Sequence, residues 1–301
     1  METGGTTGRR EAGLALDAGK VQPRDLISAF AKGLAVIQAF SDKAPELTLT
    51  AVAQRAGITR ASARRLLLTL VDQGFAERVD DRLFSLTPKV LLLGNAYLSS
   101  MPMWRFAEPV LEELVGDIGE TCSLSVLDGN EVVYVLRIPV RRVMDRVSTV
   151  GTHLPAYCTS MGRLLLAWLP EARLERYFTE VTLEPHTAAT IVSRRGLESA
   201  LREVRQLGYA WVSGEMEADI KGLAVPVCDS RGNAIAALAV SVNRTGVERA
   251  AFVRRTLPGL KRAAARLSSS MLVCRNGAAP QPQRPAGRGS QPRKTKSDVH
   301  E

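Results

Sequence analysis

The chain has 301 residues, 45% apolar and 24% charged, with a formal net charge of +9. That length suits about two globular domains, and no apolar run approaches the roughly 20 residues needed to cross a bilayer. The basic balance favours an anionic partner, nucleic acid first, while the four cysteines (Cys122, Cys158, Cys228, Cys274) form no CxxC and suggest neither a zinc finger nor a disulfide framework.

Residues 1–22 are rich in Gly, Thr and charge and are expected to be disordered. They lack the apolar segment of a secretory signal, so a cytoplasmic protein is expected. Asp25 to Phe40 carries Leu26, Ile27, Phe30, Leu34 and Ile37 at helical spacing, which predicts a first helix packed beneath the next two. Ser41 to Pro45 reads as a loop. The stretch Leu47 to Leu70 then reads as two short helices around a tight corner. Thr50 is expected to cap the first, Gly57 to stop it and Ile58 to plug the corner. Thr59 caps the second, whose Ala63, Leu66, Leu67, Leu70 and Val71 repeat at 3.6-residue spacing. Its other face shows Arg60, Ser62, Arg64 and Arg65. An apolar helix pair with a glycine corner and a basic second helix is the helix-turn-helix pattern. The plainer reading is a helical hairpin with a solvated arginine face.

Two strands come next, Phe75 to Val79 and Arg82 to Leu86, joined at Asp80 and Asp81. Helix, helix, hairpin makes a winged helix-turn-helix. Arg78 and Arg82 suit a wing lying along phosphates, whereas Asp80 and Asp81 repel them, so the tip is expected to point away. Thr87-Pro88 opens a Leu-rich helix to Ser100. Pro102 interrupts it, and Trp104 to Ile118 forms another. This pair reads as a linker and dimerisation element, or equally as core helices of either domain.

Beyond Glu120 strands are expected at Thr121 to Leu127, Glu131 to Ile138 and Arg142 to Val150. A loop, Gly151 to Tyr157, leads into a helix from Ser160 to Leu169, then a short helix from Pro170 to Phe178 and a loop from Val181 to Ile191. Ser193 caps a helix from Arg194 to Leu207. Strands at Tyr209 to Ser213, Leu223 to Cys228 and Ala234 to Val242 precede a long helix from Val247 to Cys274, bent at Pro258. This is a mainly antiparallel sheet with helices around it. From Arg275 onward the chain is a basic, Pro- and Gln-rich tail.

LTLTAVAQRAGITRASARRLLLTLVDQGF, followed by FSLTPKVLLLG, resembles the DNA-binding half of the IclR family of bacterial transcriptional regulators. LPAYCTSMGRLLLAWL and KGLAVPVCDSRGNAIAALAVSV resemble its effector-binding half. The resemblance runs from Arg24 to Cys274. LPAYCTSMGR and RDLISAFAKGLAVIQAF are most similar to the subgroup that controls the β-ketoadipate pathway and responds to protocatechuate, 4-hydroxybenzoate or β-ketoadipate. The resemblance implies an α/β (α+β) chain: a winged helix-turn-helix at 23–87, a linker helix at 88–103 and a GAF-like effector-binding domain at 104–274, between tails at 1–22 and 275–301. It implies operator DNA, a small aromatic or dicarboxylic acid effector, a homodimer or dimer of dimers, and RNA polymerase as partners, with no membrane, cofactor or metal.

The DNA-contacting residues implied are Thr50, Thr59, Arg60, Ser62, Arg64, Arg65, Arg78 and Arg82, with Arg60, Ser62 and Arg65 best placed by the family motif. An arginine fork matches guanine O6 and N7. The ligand site implied lies between the sheet and the segment Leu154 to Arg163, closed by Glu217 to Leu223, with Glu217 and Asp219 as candidate contacts. An acid needs a cation and an apolar slot. Arg137 and Arg163 are the candidate cations, Thr159 and Ser160 offer a helix start that welcomes an anion, and Ala156, Tyr157, Cys158, Ala239 and Ser241 the slot. Each reads equally as core, cap or surface. Ser241 comes over by position, whereas Ala239 stands where some members carry serine. A Cys158/His153 nucleophile pair lacks an orienting acid, and a metal site of His153, Cys158 and His186 lacks chelating spacing. No GxGxxG or P-loop occurs, so an enzyme is not expected. The competing reading is a small-molecule-binding or hydrolytic sensor with a protein-binding helical adaptor.

Overall fold

The computed structural model describes residues 26–41, 43–100, 104–140 and 150–275. They divide into two compact units, Met1–Tyr97 and Leu98–Glu301.

In the first unit α1 (Ser28–Gln38) precedes β1 (Glu46–Thr48), α2 (Leu49–Arg55), α3 (Arg60–Asp72), β2 (Ala76–Arg78) and β3 (Leu83–Leu86). The strands form an antiparallel sheet in the order β1-β3-β2, with Leu47 opposite Phe84 and Ala76 opposite Leu86. Val36, Val52, Ala63, Leu67 and Phe84 make the core. Gly57, at φ 63°, turns the corner between α2 and α3 in the left-handed region that glycine tolerates. Ile58 packs against the core behind it.

Thr59 caps α3 as expected, its Oγ1 accepting from the Ser62 amide at 3.2 Å. The cap of α2 is Thr48 rather than Thr50: its Oγ1 accepts from the Ala51 amide at 3.2 Å. The reason lies in β1. Leu47 and Thr48 are held extended by pairing with Phe84 and Leu83, and the helix starts as soon as that pairing ends. Helix α1 is also less buried than its spacing predicts. Val36 and Ala39 join the core, but Ile27 and Phe30 are 74% and 67% exposed, with Leu26 and Leu34 exposed beside them. After the wing, Thr87 accepts from the Lys89 amide and opens a short 3-10 turn, Pro88–Val90, that runs into α4 (Leu91–Ser100). The division between the units falls within α4.

The second unit holds α5 (Trp104–Ile118), β4 (Thr121–Asp128), β5 (Glu131–Ile138), β6 (His153–Pro155), α6 (Ser160–Ala167), α7 (Glu171–Glu180) and α8 (Arg194–Leu207). Then come β7 (Ala210–Ser213), β8 (Ile220–Cys228), β9 (Ala234–Asn243) and α9 (Arg249–Arg275). Among the described residues six strands form an antiparallel sheet in the order β6-β5-β4-β9-β8-β7. On one face α5 and α9 cover Cys122, Leu124, Leu238 and Val240. On the other, α6, α7 and α8 cover Tyr134, Ala224, Ala237 and Ala239. Each fully buried leucine of these layers contributes about 1.5–3 kcal/mol of transfer free energy.

The expected loop Gly151 to Tyr157 contains β6, which pairs Leu154 with Val132 of β5. Three residues at a sheet edge are too few for alternation to register. The expected strand Arg142 to Val150 lies, but for Val150, outside the described residues, as do the break at Pro102 and both expected tails, except that Arg275 ends α9. Among the described residues no helix is long and apolar enough to cross a membrane.

Candidate functional site

Arginines converge between the second helix of the corner and the wing. A cleft of about 430 Å³ is lined by Arg60, Arg64 and Leu68 of α3 and by Arg78, Arg82 and Phe84 of the wing. Thr48, Leu49, Thr50 and the wing residue Asp81 complete the lining. So the cleft gathers Thr50, Arg60, Arg64, Arg78 and Arg82 of the residues singled out in the sequence. Arg65 is exposed on α3 and does not line it, and the Thr59 hydroxyl holds the Ser62 amide. Both wing-tip carboxylates keep their negative charge, and only Asp81 lines the cleft. Asp80 Oδ1 accepts from the Arg82 and Leu83 amides at 2.7 and 2.8 Å, which holds its carboxyl below the usual range. Arg78 donates to the Asp81 carbonyl at 3.2 Å, and its guanidinium lies 5.6 Å from the Phe84 ring centre. Arg55 donates instead to the Ala39 carbonyl, a structural use of its charge.

In the second unit the strand register builds a polar strip on the face toward α6. Residues opposite each other across strands share a face. Arg137 is opposite Ser123, which is opposite Ala239, which is opposite Ala224. The neighbouring row runs Thr121, Ser241, Gly222, and the other Tyr134, Ser125, Ala237. Ser123 Oγ meets Met161 Sδ of α6 at 3.7 Å. Ser125 is 0% exposed and its hydroxyl has no hydrogen-bond partner among the described residues. Arg137 stacks 5.4 Å from the Tyr134 ring centre, and burial pushes the Tyr134 phenol up. Helix α6 sits hard on this face: a Cβ on Gly222 would stand 2.4 Å from Ser160 Oγ. Ser123 and Ser125 were not picked out in the sequence. The signal was there, in the alternation of serines with Cys122 and Leu124, and it became readable once the covering helix was known.

The start of α6 is occupied by the protein itself. Thr159 Oγ1 accepts from the Gly162 amide and donates to the Pro155 carbonyl, both at 3.2 Å. Arg163, only 4% exposed, donates through both Nη atoms to the Glu215 carboxylate at 2.7 and 2.5 Å, and through Nη2 to the Tyr157 carbonyl at 2.7 Å. Its charge is matched inside the fold, which leaves Arg137 as the cation of the two on the polar strip. Glu215 Oε2 also accepts from the Ile191 amide, and Thr190 donates to the Glu215 carbonyl at 2.6 Å. The Arg163–Glu215 pair therefore ties α6 to the 181–191 loop. Tyr157 joins the same loop, donating to the Glu184 carbonyl at 2.8 Å and meeting His186 Nε2 at 3.0 Å. Leu154 is half-buried and Ala156 buried, while Glu217 and Asp219 are exposed on the turn between β7 and β8.

The nucleophile pair is not assembled. Cys158 Sγ donates to the Pro155 carbonyl and to Met216 Sδ, and burial, then the Glu215 charge, push its thiol up to about 12. His153 Nδ1 instead faces Glu131 at 3.2 Å on the exposed edge. Among the described residues no three His, Cys, Asp or Glu side chains are grouped to hold a metal.

Residues 29–80 match the family described as IclR helix-turn-helix domain, and residues 95–269 match bacterial transcriptional regulator IclR C-terminal. The chain is 39% identical to the Pca regulon regulatory protein of Pseudomonas putida, over 78% of this chain and 80% of that one. It is 35% identical to the p-hydroxybenzoate hydroxylase transcriptional activator of Acinetobacter baylyi, over 81% and 92%. Its fold superimposes with a TM-score of 0.71 on an IclR homolog complexed with 4-hydroxybenzoate from Microbacterium hydrocarbonoxydans, at 25% identity over 81% of this chain and 99% of that one.

Proposed function

Because the chain belongs to the IclR family of bacterial DNA-binding transcriptional regulators, we propose that it switches genes of aromatic-acid catabolism in response to a small aromatic acid of the β-ketoadipate pathway. The observation that carries this reading is the polar strip: one half-buried arginine and a set of hydroxyls on an otherwise apolar sheet face under α6. An apolar slot with one cation fits an aromatic ring with one carboxylate. Arg137 takes the carboxylate, Ser123, Ser125 and Ser241 take ring hydroxyls, and Ala237 and Ala239 are small neighbours on the same face, over which α6 must shift to admit the ring. The names of the two relatives point to the same chemistry.

The acid acts by shifting a population. It favours one arrangement of the effector units, and α4 passes the bias to the DNA-binding units; an acid that bound both arrangements equally would change nothing. Two copies are needed for this. The exposed Ile27 and Phe30 of α1 and Leu91, Leu92 and Leu93 of α4 are apolar surface that a second copy would cover. The hydrolytic alternative finds no support in a protonated Cys158 thiol and a histidine paired elsewhere.

A thermal-shift panel tests the proposal, with protocatechuate, 4-hydroxybenzoate, β-ketoadipate and unrelated acids. At about 100 times its dissociation constant the true effector adds about 2.7 kcal/mol. For a unit of this size that raises the melt by about 5–10 °C. A panel in which no aromatic acid moves the melt refutes the effector assignment and leaves the DNA-binding half standing.

A further inference from the structure

We infer that the arginines of the DNA-binding unit divide their work: Arg60, Arg64, Arg78 and Arg82 grip one stretch of sugar–phosphate backbone in the cleft between α3 and the wing, and Arg65 alone among them reads bases. This rests on the DNA-binding reading above and deepens it.

The division arises from where α3 points its side chains. At about 100° per residue, Ala63 and Leu67, which are buried in the core, mark one side of the helix. Arg65 stands roughly opposite that side, at the outermost line of the helix. A recognition helix entering the major groove presents its outermost line to the base edges. Arg60 and Arg64 lie about one turn apart on the flank, turned toward the wing, with Leu68 below them. An arginine aimed into a cleft of its own protein is poorly placed to reach the floor of a groove.

The chemistry of the cleft matches a nucleic-acid strand rather than a base edge. Its lining carries four guanidinium groups and the hydroxyls of Thr48 and Thr50. Its lining also includes the apolar side chains of Leu49, Leu68 and Phe84. Deoxyribose can lie against such apolar side chains while the phosphate oxygens meet the guanidinium groups. Base edges offer donors and acceptors that apolar side chains leave unmet. Four positive charges face one negative side chain in the cleft, Asp81, so the balance strongly favours an anion. The second wing-tip acid, Asp80, stays ionised while it accepts from the Arg82 and Leu83 amides, but it does not line the cleft.

The test uses the full-length protein and a mixed-sequence 30-base-pair duplex, with affinity measured from about 50 to 200 mM salt, and in parallel a selection from randomised duplexes. The glutamine variants Arg60→Gln, Arg64→Gln, Arg78→Gln and Arg82→Gln should each flatten the logarithmic salt slope by about 0.9 for every phosphate no longer neutralised, and leave the selected sequence unchanged. Arg60→Lys and Arg64→Lys should keep most of the slope, since a point charge suffices for phosphate. Arg65→Gln should weaken the selected duplex by about 5- to 150-fold and relax selection at one position per half-site. Relaxed selection in Arg60→Gln or Arg64→Gln, or an unchanged slope in all four cleft variants of a protein that binds DNA, overturns the division. Wild-type protein that binds no duplex overturns the DNA-binding reading itself.

Discussion

Glu215 carries a buried negative charge in the second unit. Its carboxylate is buried and holds both Nη atoms of the equally buried Arg163 and the Ile191 amide. Replacing Arg163 by Met leaves that carboxylate without its cation, and replacing Glu215 by Met leaves the guanidinium with the Tyr157 carbonyl alone. Breaking a buried pair from one side costs about 3–5 kcal/mol, whereas replacing both partners with apolar groups is often close to neutral. The single variants should therefore melt about 6–20 °C lower, and the double variant Arg163→Met/Glu215→Met should recover most of that loss. The assay is urea and thermal unfolding read by tryptophan fluorescence. All three tryptophans, Trp104, Trp168 and Trp211, belong to the second unit, so the signal is confined to it. Single variants that each lose less than about 1 kcal/mol, or a double variant whose loss is the sum of the two, would refute the claim that this pair is a coupled buried unit.

The geometry sets three further outcomes. Thr48→Ala should destabilise the start of α2 by about 1 kcal/mol, and Thr50→Ala should leave it nearly unchanged, read by hydrogen exchange of the α2 amides. Arg137→Gln should abolish the melt shift produced by the effector acid and leave the melt of the unliganded protein within about 1 °C, because among the described residues the side chain stacks on Tyr134 without a buried ion pair. Cys158 resists ionisation in the fold, its thiol standing at about 12 against an ordinary value of about 9. The unfolded chain loses that proton first, so the stabilisation is complete below pH 9 and falls as pH rises from 9 to 12. Unfolding free energies at pH 8 and 10.5 should show a drop that is smaller in Cys158→Ala, and native protein at pH 8 should leave Cys158 unlabelled by a thiol reagent that labels it in urea.

Patterns with a period and a capping residue were legible from the chain. The corner at Gly57, the cap at Thr59, the helix after Ser193 and the central strands all have such signals. Short pairings were not. The strand Glu46–Thr48 exists because β3 is there to hold it, and it moved the cap of α2 from Thr50 to Thr48. The edge strand His153–Pro155 likewise depends on β5. In the site, the spacing of Arg60 and Arg64 was readable, but not that the wing would turn toward them and make a cleft. Arg163 read as a candidate cation because its acid partner lies 52 residues away, beyond any local pattern. Ser123 and Ser125 looked like unremarkable strand residues until the register set them beside Arg137 and Tyr134.

The most direct test of an acid-controlled regulator is to measure one duplex, chosen by selection from a random pool, for binding with and without the acid that shifts the melt. Coupled sites predict that saturating acid changes the dissociation constant for that duplex by at least about fivefold, in either direction. An acid that raises the melt yet leaves DNA affinity the same would contradict the account, because the two sites would then share no free energy.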